Sequence, residues 1–204
     1  MAKNKSHIER SLLLIKPDVI QRQIVGEILT RFERKGFKIV GMKMLNATKE
    51  QIQKHYTDEE SYLIETGEKA KKGAIARGED VSNWNSLEKG KAIRKNNVVY
   101  LTCGPIISMV LEGHGVVSGV RKILGSTSPA DGDVGTIRDD YSFDTYALAD
   151  YVSRATRTMI HASDSVENAE REIKIWFKES ELCSNYETVA EKIFFDFGWD
   201  HSEE

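Results

Sequence analysis

The apolar positions of this chain recur with two different periods, and these periods predict strands and helices. Runs of five to nine residues that are mostly apolar are typical of strands, and they occur at 11–15, 37–45, 98–102 and 106–111. Elsewhere an apolar residue returns every three or four positions, as on one face of a helix. This spacing predicts helices at 25–35, from Thr48 to Tyr56, at 116–124 and from Asp164 to Phe177.

The order of these elements indicates the fold. They follow one another as strand–helix–strand, a helix, strand–helix, a long loop at 126–138, and a short strand ending at His161 before the last helix. Four strands with helices on one face and a split β-α-β connection favour an α/β fold. The specific expectation is a ferredoxin-like α/β sandwich, with a four-stranded antiparallel sheet and helices packed on it.

We expect a single domain over residues 1–204, with additions to its core elements. These additions are insertions at about 59–96 and 141–155 and a C-terminal extension at about 180–204. The first insertion is charged and contains several glycines, so we expect short surface helices and loops there. The extension ends in an aromatic run at 194–199, whose rings are expected to pack against protein.

One stretch carries a candidate for chemistry, the histidine His161. Asp164 is predicted to cap the following helix, with Glu167 as its capping-box partner. A histidine just ahead of a helix N-terminus faces unpaired N–H groups, which favour a phosphate. Glu172, about two turns into the helix, is placed to hold one imidazole nitrogen and leave the other free to attack. A lone histidine at a strand end is more often structural, so this pattern alone leaves its role open.

Composition narrows the class of protein. The 204 residues are 40% hydrophobic and 30% charged, as in a globular protein with one sizeable core. The net charge of −3 offers no basic surplus for non-specific binding of nucleic acid. Cys103 and Cys183 have neither a metal-ligand spacing nor a disulfide pattern, and no stretch reads as a signal peptide or membrane span. We therefore expect a cytoplasmic protein that binds neither a membrane nor a specific nucleic acid.

Several cations and hydroxyls stand where they could bind phosphates. Phosphoryl transfer from a nucleoside triphosphate requires cations around the phosphates, a metal ion and an in-line nucleophile. Besides His161 as the nucleophile, the candidates are Lys16, Arg121, Thr127, Arg138 and Thr158. Each is a weak signal alone, because surface arginines are usually only solvated and loop threonines are usually turn residues.

Together these stretches resemble the nucleoside diphosphate kinase family. The resemblance is carried by IKPD at 15–18, VGEI at 25–28, RFERKGF at 31–37, HY at 55–56, GP at 104–105, LG at 124–125, PAD at 129–131, GTIR at 135–138 and HASDS at 161–165. It implies a ping-pong reaction, in which His161 takes the γ-phosphate of a nucleoside triphosphate such as ATP and passes it to a nucleoside diphosphate. It also implies Mg²⁺ carried mainly by the nucleotide phosphates, low base selectivity, and a homo-oligomer, either a hexamer or a tetramer built from dimers.

The resemblance also implies roles for individual residues. Ser163 and Glu172 would support the histidine, Glu172 by orienting the imidazole, and Tyr56 would pack against it. The implied contacts to phosphates and sugar are Lys16, Arg121, Thr127 and Arg138. No residue is assigned as a protein ligand of a metal.

The sequence departs from the family pattern at four positions near the nucleotide. Thr158 stands where the family usually has asparagine, and it offers one hydroxyl in place of an amide. Tyr62 is our candidate for the family's base-stacking phenylalanine. Val19 and Asp139 replace glycines, and Asp139 adds a negative charge near the phosphates unless it points away.

Two other readings compete with an active kinase. The departures at Thr158 and Asp139 would suit a family member that binds nucleotides or partners without turnover, although the residues of the transfer machinery are present. An RNA-binding module can share the same architecture. The chain lacks the aromatic-rich strands on which such modules stack bases, so this second alternative is disfavoured.

Overall fold

The computed structural model describes residues 7–195 and is built around a four-stranded antiparallel sheet. The strands are β1 Ile8–Ile15, β2 Lys38–Leu45, β3 Ile106–His114 and β4 Ile160–Ala162. They lie in the order β2-β3-β1-β4, and β1 pairs with both β3 and β4. The predicted four-stranded antiparallel sheet is confirmed.

Helices account for most of the remaining regular structure. They are α1 Pro17–Gln21, α2 Val25–Arg34, α3 Lys49–His55, α4 Glu60–Ala76, α5 Ser86–Thr102, α6 Val116–Leu124, α7 Ile137–Tyr141, α8 Tyr146–Tyr151, α9 Val166–Trp176 and α10 Val189–Phe195, with short 3-10 turns at Pro129–Asp131 and Glu179–Glu181. The predicted helices at 25–35 and 116–124 and the short helix capped by Thr48 are confirmed. No helix among the residues that the structure describes combines the length and apolar character that a membrane span requires.

Both faces of the sheet are buried, so the expectation of helices on one face was wrong. Leu13 and Ile15 join a cluster with residues of α2 and α6, whereas Leu12 and Leu14 join a second cluster with residues of α3, α5 and α9. Successive side chains of a strand point to opposite faces. The apolar run of β1 is therefore explained by burial on both faces of the sheet.

The first insertion differs from its prediction. Residues 59–96 were expected to form short helices and loops, and 98–102 a strand, but α4 and α5 are each 17 residues long and α5 continues to Thr102. A β carbon added at Gly67 would lie 1.8 Å from the Ser86 carbonyl oxygen, and one added at Gly90 would lie 1.9 Å from that of Leu63. These glycines let α4 and α5 pack closely against each other as a helical hairpin, and they do not break either helix. The β-branched run at 98–102 is helical because tertiary packing overrides local preference.

The helix that follows His161 begins one residue later than expected. Ser165 is its N-cap and accepts a hydrogen bond from the Asn168 backbone N–H, so the assignment of Asp164 and Glu167 as a capping box was wrong. The Asp164 carboxylate instead accepts from the Asn168 side chain at 2.7 Å. The helix itself, α9, forms where the periodicity predicted it.

The C-terminal extension packs along strand β2. The Cys183 N–H donates to the Val40 carbonyl at 2.6 Å, and the Tyr186 hydroxyl donates to that of Ile39 at 2.6 Å. The Lys38 ammonium is buried beside the Glu112 and Glu191 carboxylates, at 3.2 and 3.6 Å. Most of the aromatic run at 194–199 lies outside the described residues, so its predicted packing stays a prediction.

Candidate active site

Strand β4 places His161 beside the buried carboxylate of Glu172. His161 pairs with Leu14 of β1, and its Nε2 lies 3.0 Å from Glu172 Oε2 on α9. The Ser163 hydroxyl donates to the same carboxylate oxygen at 2.7 Å and accepts from the Leu12 N–H. Because Glu172 Oε2 accepts hydrogen bonds, we assign the proton of His161 to Nε2. The lone pair is then on Nδ1, which makes Nδ1 the nucleophilic nitrogen.

The environment of Glu172 keeps it ionised. Burial by itself would raise the pKa of this carboxyl group, but the charge and hydrogen bond of His161, together with the Ser163 hydroxyl, bring it down to about 2. The side chain is 6% exposed. A fixed anion is therefore present behind the imidazole at neutral pH.

A second histidine, His55, packs directly against the first. The two ring centroids are 4.3 Å apart and nearly perpendicular, whereas the Tyr56 ring lies 6.2 Å from that of His161. Burial and the neighbouring His161 lower the pKa of His55 well below its usual value, so this ring is neutral. Sequence reasoning included His55 only as part of a family motif and gave it no role. The sequence feature that could have indicated a role for His55 is its position at the end of a capped helix, next to Tyr56.

Lys16 and Thr158 form a polar pair near the histidine strand. The Lys16 ammonium follows β1 and donates to Thr158 Oγ1 at 2.6 Å. Burial and, after it, the positive charge of Arg138 lower the pKa of Lys16 to about 7. Met159, between Thr158 and strand β4, has φ 64°, which is a strained value for a residue with a side chain.

Arg138 uses most of its donors on the backbone. Its guanidinium group donates to the carbonyl oxygens of Thr158, Gly125, Ser126 and Ile160 at 2.8 to 3.2 Å. One of its five N–H donors is left for a ligand. Arg138 therefore ties the long loop to the strand that carries the histidine, a role that the sequence did not indicate.

Nine of the ten residues predicted for the site line one cleft of about 1330 Å³. They are Lys16, Tyr56, Tyr62, Arg121, Thr127, Arg138, Thr158, His161 and Glu172. Ser163, the tenth, is fully buried behind Glu172. Asp139 is not among the lining residues, and its Cβ lies beside Gly132. Parts of both insertions border the cleft, which is larger than most small-molecule pockets, about 300–1,000 Å³.

The described residues contain one group of side chains that could together hold a metal ion. Ligand atoms of His55, His161 and Glu172 lie within 4.8 Å of one another. Two imidazoles and one carboxylate suit a transition metal, whereas Mg²⁺ prefers oxygen ligands.

Comparison with known proteins identifies relatives over most of the chain. The sequence profile of the family described as nucleoside diphosphate kinase matches residues 9–64 and 68–182. The nucleoside diphosphate kinase of Pyrobaculum aerophilum is 43% identical over 179 residues, which cover 86% of this chain and 98% of that protein. Nucleoside diphosphate kinase 3 of Danio rerio is 41% identical over 174 residues, covering 85% of this chain and 80% of that protein.

Two solved structures share the fold. The crystal structure of an NDP kinase from Pyrobaculum aerophilum superposes with a TM-score of 0.81 and 42% identity, covering 86% of this chain and 99% of that one. A transition-state mimic of nucleoside-diphosphate kinase from Borrelia burgdorferi, with bound vanadate and ADP, has a TM-score of 0.74 and 29% identity. That alignment covers 92% of this chain and 97% of the other.

Proposed function

The chain belongs to the nucleoside diphosphate kinase family, and we propose that it moves the γ-phosphate of a nucleoside triphosphate to a nucleoside diphosphate through a phosphohistidine at His161. The observation that carries this proposal is the contact of His161 Nε2 with the ionised Glu172, at 3.0 Å. It leaves Nδ1 as the unprotonated nitrogen of a ring that borders the cleft. The same contact argues against a family member that only binds nucleotides.

The first half-reaction is a displacement at phosphorus. His161 Nδ1 forms a bond to the γ-phosphorus while the bond from that phosphorus to the β–γ bridging oxygen breaks, and the nucleoside diphosphate leaves. The imidazole gains positive charge as this bond forms, and the Glu172 carboxylate stabilises that charge through Nε2–H. The second half-reaction reverses these steps with a different diphosphate.

The cations of the cleft bind the phosphates in this proposal. Lys16 and Arg121 neutralise phosphate oxygens, Arg138 offers its one remaining N–H, and Thr127 and Thr158 contribute hydroxyls. Tyr62, which lines the cleft at the start of the hairpin, stacks on the base. Stacking tolerates any base, so the selectivity among bases is low.

The remaining features follow the family expectation. Mg²⁺ would be carried mainly by the nucleotide phosphates and would neutralise part of their charge, since the one group of side chains in residues 7–195 that could together hold a metal ion contains two imidazoles and only one carboxylate, Glu172. The protein acts in the cytoplasm as a homo-oligomer, a hexamer or a tetramer built from dimers, and takes nucleoside di- and triphosphates as partners. The free Cys103 and Cys183 agree with a reducing compartment, and the net charge of −3 agrees with the lack of a specific nucleic-acid partner.

Phosphoenzyme formation tests the proposal. Incubation with γ-labelled ATP and Mg²⁺ should give an acid-labile, base-stable label on the protein, which TDP should discharge as labelled TTP. His161→Gln should abolish the label, and His114→Gln, at an exposed histidine on β3, should retain it. Equal labelling of the His161 variant and the parent would show that another residue is the nucleophile.

A further inference from the structure

Tyr100, in the last turn of α5, is buried next to the phosphate-binding lysine. Tyr100 is 2% exposed, and its hydroxyl donates to Asp18 Oδ1 at 2.6 Å. Two cations lie over its ring: Lys16 Nζ is 4.7 Å from the ring centroid, and the Arg157 guanidinium carbon is 4.4 Å from it. Neither Tyr100 nor Asp18 lines the cleft.

The Lys16 ammonium meets groups from four parts of the chain, of which three are charged and one is aromatic. Asp18 on α1 favours its charged form, while Arg138 on α7 and Arg157 in the segment before β4 oppose it. Within residues 7–195, its hydrogen-bond partner is Thr158 Oγ1, so two of its three N–H donors remain for a ligand. The fourth part is α5, which contributes the Tyr100 ring face. This face is the negative end of an aromatic quadrupole and attracts a cation.

The charge of Lys16 is therefore finely balanced in the absence of a ligand. Burial is the largest influence on it and lowers its pKa to about 7, despite the neighbouring Asp18. A nucleotide needs this lysine as an ammonium, because only the charged form attracts phosphate oxygens. Groups that favour the charged form thus control how much of the free protein is ready to bind.

We infer that Tyr100 is a positioning residue for phosphate binding, whose ring face stabilises the Lys16 ammonium and whose hydroxyl holds the Asp18 carboxylate beside it. This inference rests on the proposed function, since it assigns the ammonium to the nucleotide phosphates. Tyr100 touches neither the cleft nor the reacting atoms, so it acts through Lys16. It also makes α5, the second helix of the inserted hairpin, part of the support of the phosphate site.

Two substitutions separate the ring from the hydroxyl. Tyr100→Phe keeps the ring face and removes the hydrogen bond to Asp18, and Tyr100→Leu removes both. We expect kcat/KM for ATP near neutral pH to fall about threefold in the first variant and about fivefold to tenfold in the second, the loss that follows when the pKa of Lys16 falls by up to about one unit. Val99→Ala is the control, because Val99 is the preceding residue of α5 and is 58% exposed. It should leave kcat/KM within about twofold, as surface substitutions usually do.

The pH profile distinguishes this role from a loss of packing. The basic limb of kcat/KM reports groups of the free enzyme, measured here from about pH 6 to about pH 9.5. Loss of Tyr100 disfavours the charged form of Lys16, so this limb should move to lower pH, by about one unit in Tyr100→Leu and less in Tyr100→Phe. The limb of kcat should move less, because bound phosphates keep Lys16 charged.

Proton uptake on ADP binding gives a second readout that needs no turnover. Calorimetry in two buffers of different ionisation enthalpy at about pH 7.5 should show greater uptake in Tyr100→Leu than in the parent, because more of Lys16 is neutral before binding. A kcat/KM that falls equally at every pH, with unchanged proton uptake, would overturn the inference. If Tyr100→Leu does not fold, the same two measurements on Tyr100→Phe test the inference, with a smaller expected shift of the basic limb and a smaller expected increase in proton uptake. A parent that binds ADP but forms no phosphoenzyme would refute the proposed function, while the uptake comparison would still test Tyr100.

Discussion

Replacing the Glu172 carboxylate by an amide tests how the site activates its histidine. In the structure, Glu172 Oε2 accepts hydrogen bonds from both His161 Nε2 and the Ser163 hydroxyl. In Glu172→Gln the amide oxygen can take this place, so the tautomer of His161 and the orientation of its ring are kept. What is lost is the negative charge that stabilises the imidazolium as Nδ1 bonds to phosphorus.

The expected loss can be estimated from the contacts of Glu172. A hydrogen bond to a charged group contributes about 1.5–3 kcal/mol and one between neutral groups about 1 kcal/mol, so the amide should cost about 0.5–2 kcal/mol in the transition state, with a middle value of about 1.3 kcal/mol. This corresponds to a phosphorylation rate about 10-fold lower. Glu172→Ala removes the hydrogen bond as well and should lower the rate about 100-fold.

Single-turnover labelling with γ-labelled ATP in a rapid-quench instrument measures this rate directly. The matched control is Glu167→Gln, an exposed acid in the first turn of the same helix, which should phosphorylate at the rate of the parent. A parental rate in Glu172→Gln would show that the charge is not used. A parental rate in Glu172→Ala as well would refute the role of this residue.

The same carboxylate makes stability depend on pH. Its pKa in the folded protein is about 2, below the ordinary value of 4.5, so the ionised form favours folding by about 3 kcal/mol. Because the folded pKa is depressed, this stabilisation is full above about pH 4.5 and is lost as the pH falls through about 2. In urea unfolding, the stability deficit of Glu172→Gln should therefore shrink on acidification, and a constant deficit would contradict the assigned pKa.

Three further predictions address the hairpin, the phosphate site and the extension. Gly67→Ala should lower the free energy of unfolding by about 2 kcal/mol, because the new methyl group would lie 1.8 Å from a backbone carbonyl oxygen of α5. In thermal unfolding the control Gly73→Ala, on the same helix, should be neutral or stabilising, because its methyl group meets only an arginine side-chain nitrogen. Thr158→Val removes the acceptor of the Lys16 ammonium and should raise KM for ATP about 10-fold with kcat changed less, and an unchanged KM would show that this pair does not serve the nucleotide. Lys38→Ala leaves the partly buried carboxylates of Glu112 and Glu191 without their buried cation and should cost about 2–3 kcal/mol of stability in urea unfolding. Equal unfolding midpoints in the variant and the parent would contradict this prediction.

Much of the fold could be predicted because its main elements have strong local periods. The apolar run of β1 and the amphipathic faces of α2, α6 and α9 are visible in the sequence alone. The hairpin was misjudged because a glycine that breaks a helix and a glycine that admits a second helix are identical in sequence. Only the approach of α5 to Gly67 distinguishes them.

The candidate site divides in the same way. His161, Glu172 and the surrounding cations could be chosen from the sequence, since residue type and spacing limit which groups can transfer a phosphate. What each of these groups touches is decided by contacts between distant segments. Arg138 is largely bound to backbone carbonyls, His55 rather than Tyr56 is the nearer ring to His161, and Tyr100 reaches Lys16 across 84 positions of the chain.

Local periodicity and residue type were sufficient to identify β1, α2, α6 and α9 and the side chains that can do chemistry, because both act over a few neighbouring positions. The partners of those side chains, and with them their burial and charge, follow from tertiary contacts. Desolvation and hydrogen bonding depend on which segments meet, so the lowered pKa values of His55, Lys16 and Glu172 exist only in the folded chain.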